Sequence, residues 1–185
     1  MLSADGKLLT VWIEPGRQKR KLGPNQHLGS VFEPAKKYTL RIANTLKDAQ
    51  GLPMANSVMH RFTAIASDRI KPTLTSWKIS SLKADTKHAL EININEQVDY
   101  GSLIDAFSVQ LDGKPVEGTL SYLSVSKTIT FTPVVNWKKG SYTINIEQQL
   151  EDLAGNNLIH LFDRPVEGTA DNTTEKKFNL TVECF

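Results

Sequence analysis

The sequence predicts an all-β protein, and three features carry that prediction. Apolar residues recur at every second position in several segments, most clearly at Tyr142, Ile144 and Ile146, which is the period of a strand with one buried face. Turn residues such as Asp112 and Gly113 separate these segments. No apolar run approaches the roughly 20 residues of a membrane-spanning helix. We therefore expect sheets packed as a β-sandwich.

Residues 68–185 contain enough predicted strands for one complete sandwich. Residues 98–106 interrupt the series with a predicted turn or short helix. The count of about seven strands is typical of an immunoglobulin-like sandwich. The strands are predicted at residues 74–79, 89–95, 107–111, 116–122, 127–133, 140–150 and 178–182.

Residues 1–67 repeat part of this pattern. A strand is predicted at residues 8–13 and a loop at residues 16–36, and the alternation then returns at residues 38–42. Asp48 and Gly51 follow this alternation at the same intervals at which Asp152 and Gly155 follow residues 142–146. Such self-similarity predicts two copies of one supersecondary unit, with Phe62 in the place of Phe178.

The two parts of the chain differ in completeness and in charge. With only three predicted strands, residues 1–67 are interpreted as the C-terminal strands of an incomplete domain, while residues 68–185 form a complete one. The first part has ten Lys/Arg against four Asp/Glu, and the second has twelve against sixteen. Three strands leave open edges and an apolar face, so self-association through this incomplete first sheet is expected.

Five short motifs in residues 68–185 point to a family. The motifs are INEQVD at 94–99, DGKPVEG at 112–118, TFTP at 130–133, GSYTINI at 140–146 and DLAGN at 152–156. Together they resemble the bacterial Ig-like domains of surface and S-layer proteins, and the resemblance implies tandem immunoglobulin-like sandwiches, the first incomplete.

A narrower resemblance rests on residues 12–29, 38–53 and 162–167. These segments are similar to the C-terminal part of an uncharacterised, exported bacterial protein family with a PGRxKRxLxP loop, although Glu14 and Lys21 depart from its usual Asp and Gly. In those relatives, early strands precede the point that corresponds to Met1. The resemblance implies an extracytoplasmic location, in the periplasm or at the cell surface, and no activity. Residues 2–12 themselves lack the pattern of a signal peptide.

A basic loop is the most distinctive polar feature. It could bind phosphate, anionic lipid or acidic glycan, or it could be a solvated loop whose cations pair with carboxylates, which is the commoner case. It lacks the interleaved aromatic residues of a single-strand reader, so nucleic acid is an unfavoured partner. The residues are Arg17, Lys19, Arg20 and Lys21, with Lys36 and Lys37 nearby.

The remaining polar residues favour structural roles over chemistry. Asp48 and Gly51, and likewise Asp152, Gly155 and Asn156, read as turn residues rather than as calcium ligands, because too few acids surround either turn. The four histidines have no zinc spacing, and no serine or cysteine stands in a nucleophile motif. The three tryptophans could stack on sugars only if they shared a face. We therefore expect no catalytic residue, metal or cofactor.

The sequence supports two main readings of function, and a third, a cytoplasmic nucleic-acid binder, rests only on the basic first part of the chain. The first is a non-enzymatic structural or binding module of an exported bacterial protein, with an unknown protein or cell-envelope partner. The alternative is an accessory domain of a larger secreted enzyme whose catalytic part lies outside this chain. Fold alone does not choose between them.

Overall fold

The computed structural model describes residues 11–13, 23–48, 50–163 and 177–185. The chain divides into two compact units. The smaller unit is residues 13–68, and the larger is residues 69–185 together with residues 11 and 12.

The smaller unit is built on one antiparallel hairpin. A short helix α1 (Gly23–Leu28) precedes the strands β1 (Lys37–Ile42) and β2 (Val58–Thr63). Tyr38 lies opposite Phe62 in the register. The Phe32 ring packs edge-on against both, with centroids 4.9 Å from Tyr38 and 5.3 Å from Phe62. This aromatic cluster is what one face of the hairpin buries.

Among its described residues, the larger unit holds eight strands and one α-helix. A 3-10 helix (Leu74–Ser76) opens it, and the helix α2 (Tyr100–Ala106) lies between its second and third strands. The strands are β3 (Lys78–Ile79), β4 (Leu90–Asn93), β5 (Phe107–Leu111), β6 (Lys114–Pro115), β7 (Gly118–Leu123), β8 (Thr128–Pro133), β9 (Gly140–Glu147) and β10 (Lys177–Cys184).

These strands form two four-stranded antiparallel sheets. One has the order β3-β4-β8-β7 and the other β10-β9-β5-β6. Ile92 lies opposite Ile129 in the first sheet, and Val109 lies opposite Ile144 in the second. All four side chains are buried in one core, as the period-2 pattern requires. The prediction of an all-β sandwich is confirmed.

Helix α2 closes one end of this core. The Asp99 carboxylate caps it by accepting a hydrogen bond from the Ser102 amide at 2.7 Å. Leu103 and Ala106 point inward and are buried, so the helix contributes to the same core as the sheets. The predicted turn or short helix at residues 98–106 is therefore a capped helix.

Several predicted elements need correction, and the strand predicted at residues 140–150 ends earlier, at Glu147. Residues 74–79 form a strand only at its last two positions, because the Ser76 hydroxyl donates to the Thr73 carbonyl at 2.7 Å and draws the backbone into a 3-10 turn. The predicted loop at residues 16–36 contains α1, which Pro24 favours at a first helical turn. The predicted strand at residues 8–13 is not a strand at residues 11–13, and its other residues lie outside the described ones.

The proposed equivalence of Phe62 and Phe178 is also wrong. Phe62 lies opposite Tyr38, whereas Phe178 lies opposite Ile146. The residue opposite Tyr142, and therefore equivalent to Phe62, is Val182. The sequence pattern pairs the two phenylalanines because they are the same residue type. Which positions of the two strand pairs are equivalent is set instead by the register.

Candidate functional site

Two turns are built in the same way, one in each unit. In the smaller unit, the Asp48 Oδ1 accepts hydrogen bonds from the amides of Gln50 and Leu52, each at 2.9 Å. The Gly51 amide donates to the Asp48 carbonyl at 3.0 Å, with Gly51 at φ +86°. The aspartate thus satisfies amides that the turn would leave unpaired, and glycine supplies the left-handed backbone.

The turn after β9 has the same three hydrogen bonds at equivalent positions. The Asp152 Oδ1 accepts from the amides of Ala154 at 2.8 Å and Asn156 at 2.9 Å. The Gly155 amide donates to the Asp152 carbonyl at 3.1 Å, with Gly155 at φ +81°. Each turn is also flanked by an isolated antiparallel bridge, Lys47 with Pro53 in one and Glu151 with Asn157 in the other.

Burial separates the second turn from the first. Asn156 is 1% exposed, and its amide nitrogen donates to the Asp152 Oδ2 at 2.8 Å and to the Ile70 carbonyl at 3.4 Å. Its Oδ1 accepts from the Phe162 amide at 3.0 Å. One buried side chain therefore links the turn to the start of the unit and to the segment that follows.

The same turn contacts the capped end of α2. The Ser102 hydroxyl donates to the Asp99 carbonyl at 3.1 Å and accepts from the Glu151 amide at 3.0 Å. The Asp99 amide donates to the Glu151 carbonyl at 2.8 Å. This continuous network of backbone and side-chain bonds holds one end of the sandwich.

A groove of about 360 Å³ lies beside this network in the larger unit. Trp12, Gln97, Tyr122 and Glu151 are among the residues that line it. Trp12 is 68% exposed, so its ring is open to solvent. The Tyr122 hydroxyl accepts from the Val98 amide at 3.3 Å, and burial raises the pKa of Tyr122.

The acidic side chains beside this groove are already hydrogen-bonded within the fold. The carboxylates of Asp99 and Asp152 already accept hydrogen bonds from backbone amides, which is a structural use of the charge. Within the described part of the chain, no group of three or more His, Cys, Asp or Glu side chains could hold a metal ion. The groove therefore offers an exposed indole and a few polar edges.

The predicted basic loop lies outside the described residues. Its cations are Arg17, Lys19, Arg20 and Lys21. Lys36 pairs with Glu33 at 2.6 Å on the surface, and this hydrogen bond and charge raise the pKa of Lys36. Lys36 therefore forms a solvated ion pair at the surface.

The three tryptophans do not share a face. Trp137 is 1% exposed, and its Nε1 donates to the His88 carbonyl at 2.7 Å. Trp77 is also buried, and it follows the 3-10 helix instead of lying in the strand predicted at residues 74–79. Its Nε1 has no hydrogen-bond partner among the described residues. Both rings pack in the core, so neither can stack on a sugar with Trp12.

Cys184 lies at the end of β10 and is buried. Burial, and then the charge of Asp85, raise the pKa of its thiol. A thiol held in its protonated form is a poor nucleophile, so the cysteine packs as a small apolar side chain.

Sequence reasoning missed two features of the structure. Asp99 was not recognised as a helix cap, although an aspartate directly before a helical segment is a visible capping signal. Arg41 and Arg61 were missed because they lie on different strands, so only the register brings them to one face.

The fold and its bonded turns define the class of protein. Two packed antiparallel sheets, with the polar side chains of the turns used to hold the backbone, form an immunoglobulin-like β-sandwich. Residues 68–181 match the model of the bacterial Ig-like domain family, and this is more than half of the chain. The chain belongs to the bacterial Ig-like domain family.

Domains of this family are generally non-catalytic and often surface-associated. No curated protein matches the chain. The narrower resemblance, to the exported family with the PGRxKRxLxP loop, depends mainly on residues before the matched range and stays a prediction. None of the described helices is long and apolar enough to cross a membrane.

Proposed function

We propose that this chain is a non-enzymatic structural or binding module of an exported bacterial protein and acts outside the cytoplasm. One observation carries the proposal: each of the four buried polar side chains of the described residues is hydrogen-bonded within its own unit. These side chains are Asp99, Asn145, Asp152 and Asn156.

Catalytic groups usually differ from these side chains. A general acid or base is held partly desolvated with its pKa shifted and its reactive atom free to meet a substrate. Among the described residues, the resolved pKa shifts fall instead on Lys36 before β1, Tyr122 in β7 and Cys184 in β10. A binding module of this kind would recognise its partner through a surface that is complementary in shape and chemistry.

The domain organisation is part of the proposal. Residues 1–67 would supply the C-terminal strands of an incomplete Ig-like domain, and residues 68–185 a complete one. The matching turns at Asp48 and Asp152 support two copies of one strand–turn–strand unit. A narrower family membership, with export to the periplasm or cell surface, would follow from the resemblance of residues 12–29.

Co-sedimentation with isolated bacterial cell-envelope fragments tests the binding role. We expect saturable binding by the natural chain and by Leu46→Ala, whose altered side chain is exposed. Leu150→Ala removes a core side chain, so its binding should fall with its folded fraction. Absence of saturable binding by the natural chain would count against an envelope module.

A parallel assay tests the absence of catalysis. The same preparations are incubated with generic ester, phosphate monoester, glycoside and peptide substrates, and turnover should stay at the level of the heat-unfolded chain. Turnover that co-purifies with the chain and is lost in a single point variant would show an enzyme.

A further inference from the structure

The two faces of the β1–β2 hairpin differ in chemistry. One face carries Tyr38 and Phe62, which pack against Phe32. The opposite face is exposed and has three cations and no acid; we name it the basic face. Its residues are Lys37, Thr39, Arg41, Met59, Arg61 and Thr63.

Register places the three cations close together. Arg61 lies opposite Thr39, midway between Lys37 and Arg41 along β1. At about 3.3 Å per residue, Lys37 and Arg41 are roughly 13 Å apart along the strand, with Arg61 a diagonal neighbour of each. Like charges at such positions repel, and the structure gives none of the three an acidic partner among the described residues.

The larger unit shows that the fold does not require these charges. Its β9–β10 pair has the same register, with Thr143 opposite Thr181 where the hairpin has Thr39 opposite Arg61. The residues equivalent to Lys37, Arg41 and Arg61 are Ser141, Asn145 and Thr181. One copy of the unit is thus neutral at three positions where the other is cationic.

We infer that the basic face binds an extended acidic polysaccharide. Three cations along about 13 Å of a flat strand pair match a chain of repeated carboxylates, and the arginines can pair with each group through two parallel hydrogen bonds. Thr39 and Thr63 add hydroxyl groups to the same face. This inference rests on the proposed extracytoplasmic role, because such polymers belong to the cell envelope.

Two other polyanions fit the basic face less well. Single-stranded nucleic acid is held by stacking as well as by charge, and no aromatic side chain lies on this face. A membrane surface would favour several apolar side chains beside the cations, and Met59 is the one large apolar residue there.

The test compares two triple variants of the full chain. Lys37→Ser, Arg41→Asn and Arg61→Thr together install the residues of the β9–β10 pair. The control, Lys83→Ser, Lys87→Asn and Lys114→Thr, removes the same charge from exposed positions of the larger unit. Binding to polygalacturonate is measured by calorimetry at several salt concentrations, with neutral dextran and a DNA duplex as comparison polymers.

We expect the first triple variant to lose about tenfold or more in affinity for polygalacturonate at low salt, with a shallower salt dependence. The control should bind as the natural chain does. Equal losses of affinity in the two triple variants would show that binding depends on net charge alone. That result would overturn the assignment of the binding site to the basic face. Tighter binding to DNA, lost in the same variant, would overturn the assignment to polysaccharide.

This result is separable from the proposed function. The two proposals separate if the first triple variant still sediments with envelope fragments while the natural chain binds no polygalacturonate. In that case the proposed function as an envelope-binding module is retained, and the inference that the basic face binds acidic polysaccharide is rejected. The single variant Arg61→Thr keeps the test valid if the triple variant unfolds. With an unchanged thermal transition it should still lose part of the affinity for polygalacturonate, and unchanged affinity would contradict the inference.

Discussion

The turns at Asp48 and Asp152 share their hydrogen bonds but differ in what surrounds them. Leu46 and Leu150 hold the same position before each turn, and each amide donates to a carbonyl three residues earlier at 3.1 Å. Leu150 is fully buried, whereas Leu46 is 55% exposed. The shared Leu-x-Asp-x-x-Gly pattern therefore closes the same turn whether or not its leucine is buried. Turn geometry is a local property here, and burial is a property of the surrounding unit.

This comparison predicts a large difference between Leu150→Ala and Leu46→Ala. The first deletes buried atoms and leaves a cavity, so unfolding free energy should fall by about 2–5 kcal/mol. Leu46→Ala shortens a side chain that is already exposed to water, so it should change the unfolding free energy by less than about 1 kcal/mol. Chemical denaturation of both variants measures the difference. Equal losses would mean that Leu46 is covered in solution.

The second test exchanges residues between the turns. Asn156→Leu installs the residue of the first turn and leaves the Phe162 amide and the Asp152 Oδ2 without the partner that Asn156 provides. We expect a loss of about 2–3 kcal/mol, since buried polar groups lose their bonds. Leu52→Asn, at a position 65% exposed, should stay within about 0.5 kcal/mol. Both are followed by thermal unfolding, and a neutral Asn156→Leu would contradict a structural role for the buried network.

Much of the larger unit was predictable because its signals are local. Alternation over residues 140–147 and the glycine and aspartate of each turn depend on neighbours in sequence, and these elements were predicted at nearly their observed positions. The Phe62–Phe178 equivalence failed for the opposite reason. Register between strands depends on which faces are buried, and one sequence does not show that.

The candidate binding surfaces were less predictable. Arg41 and Arg61 are 20 positions apart in sequence and become neighbours only through the pairing of β1 with β2. Asn156 likewise donates to the carbonyl of Ile70, which lies 86 positions away in the chain. Sequence spacing identifies a turn residue but does not show what reaches it in space.

The smallest predicted difference concerns the turn glycines. Both have positive φ, so alanine at either position adopts a strained backbone, at a cost of about 1–2 kcal/mol. At Gly155 a Cβ atom would also lie 2.7 Å from Cδ2 of the Phe162 ring, whereas at Gly51 it would meet nothing within 4 Å. Gly155→Ala should therefore cost more than Gly51→Ala by about 1 kcal/mol, because the ring must move. The difference is measured by thermal unfolding of the two variants in the same buffer. If the two losses are equal, the Phe162 ring yields freely and the second turn is held by its polar bonds alone.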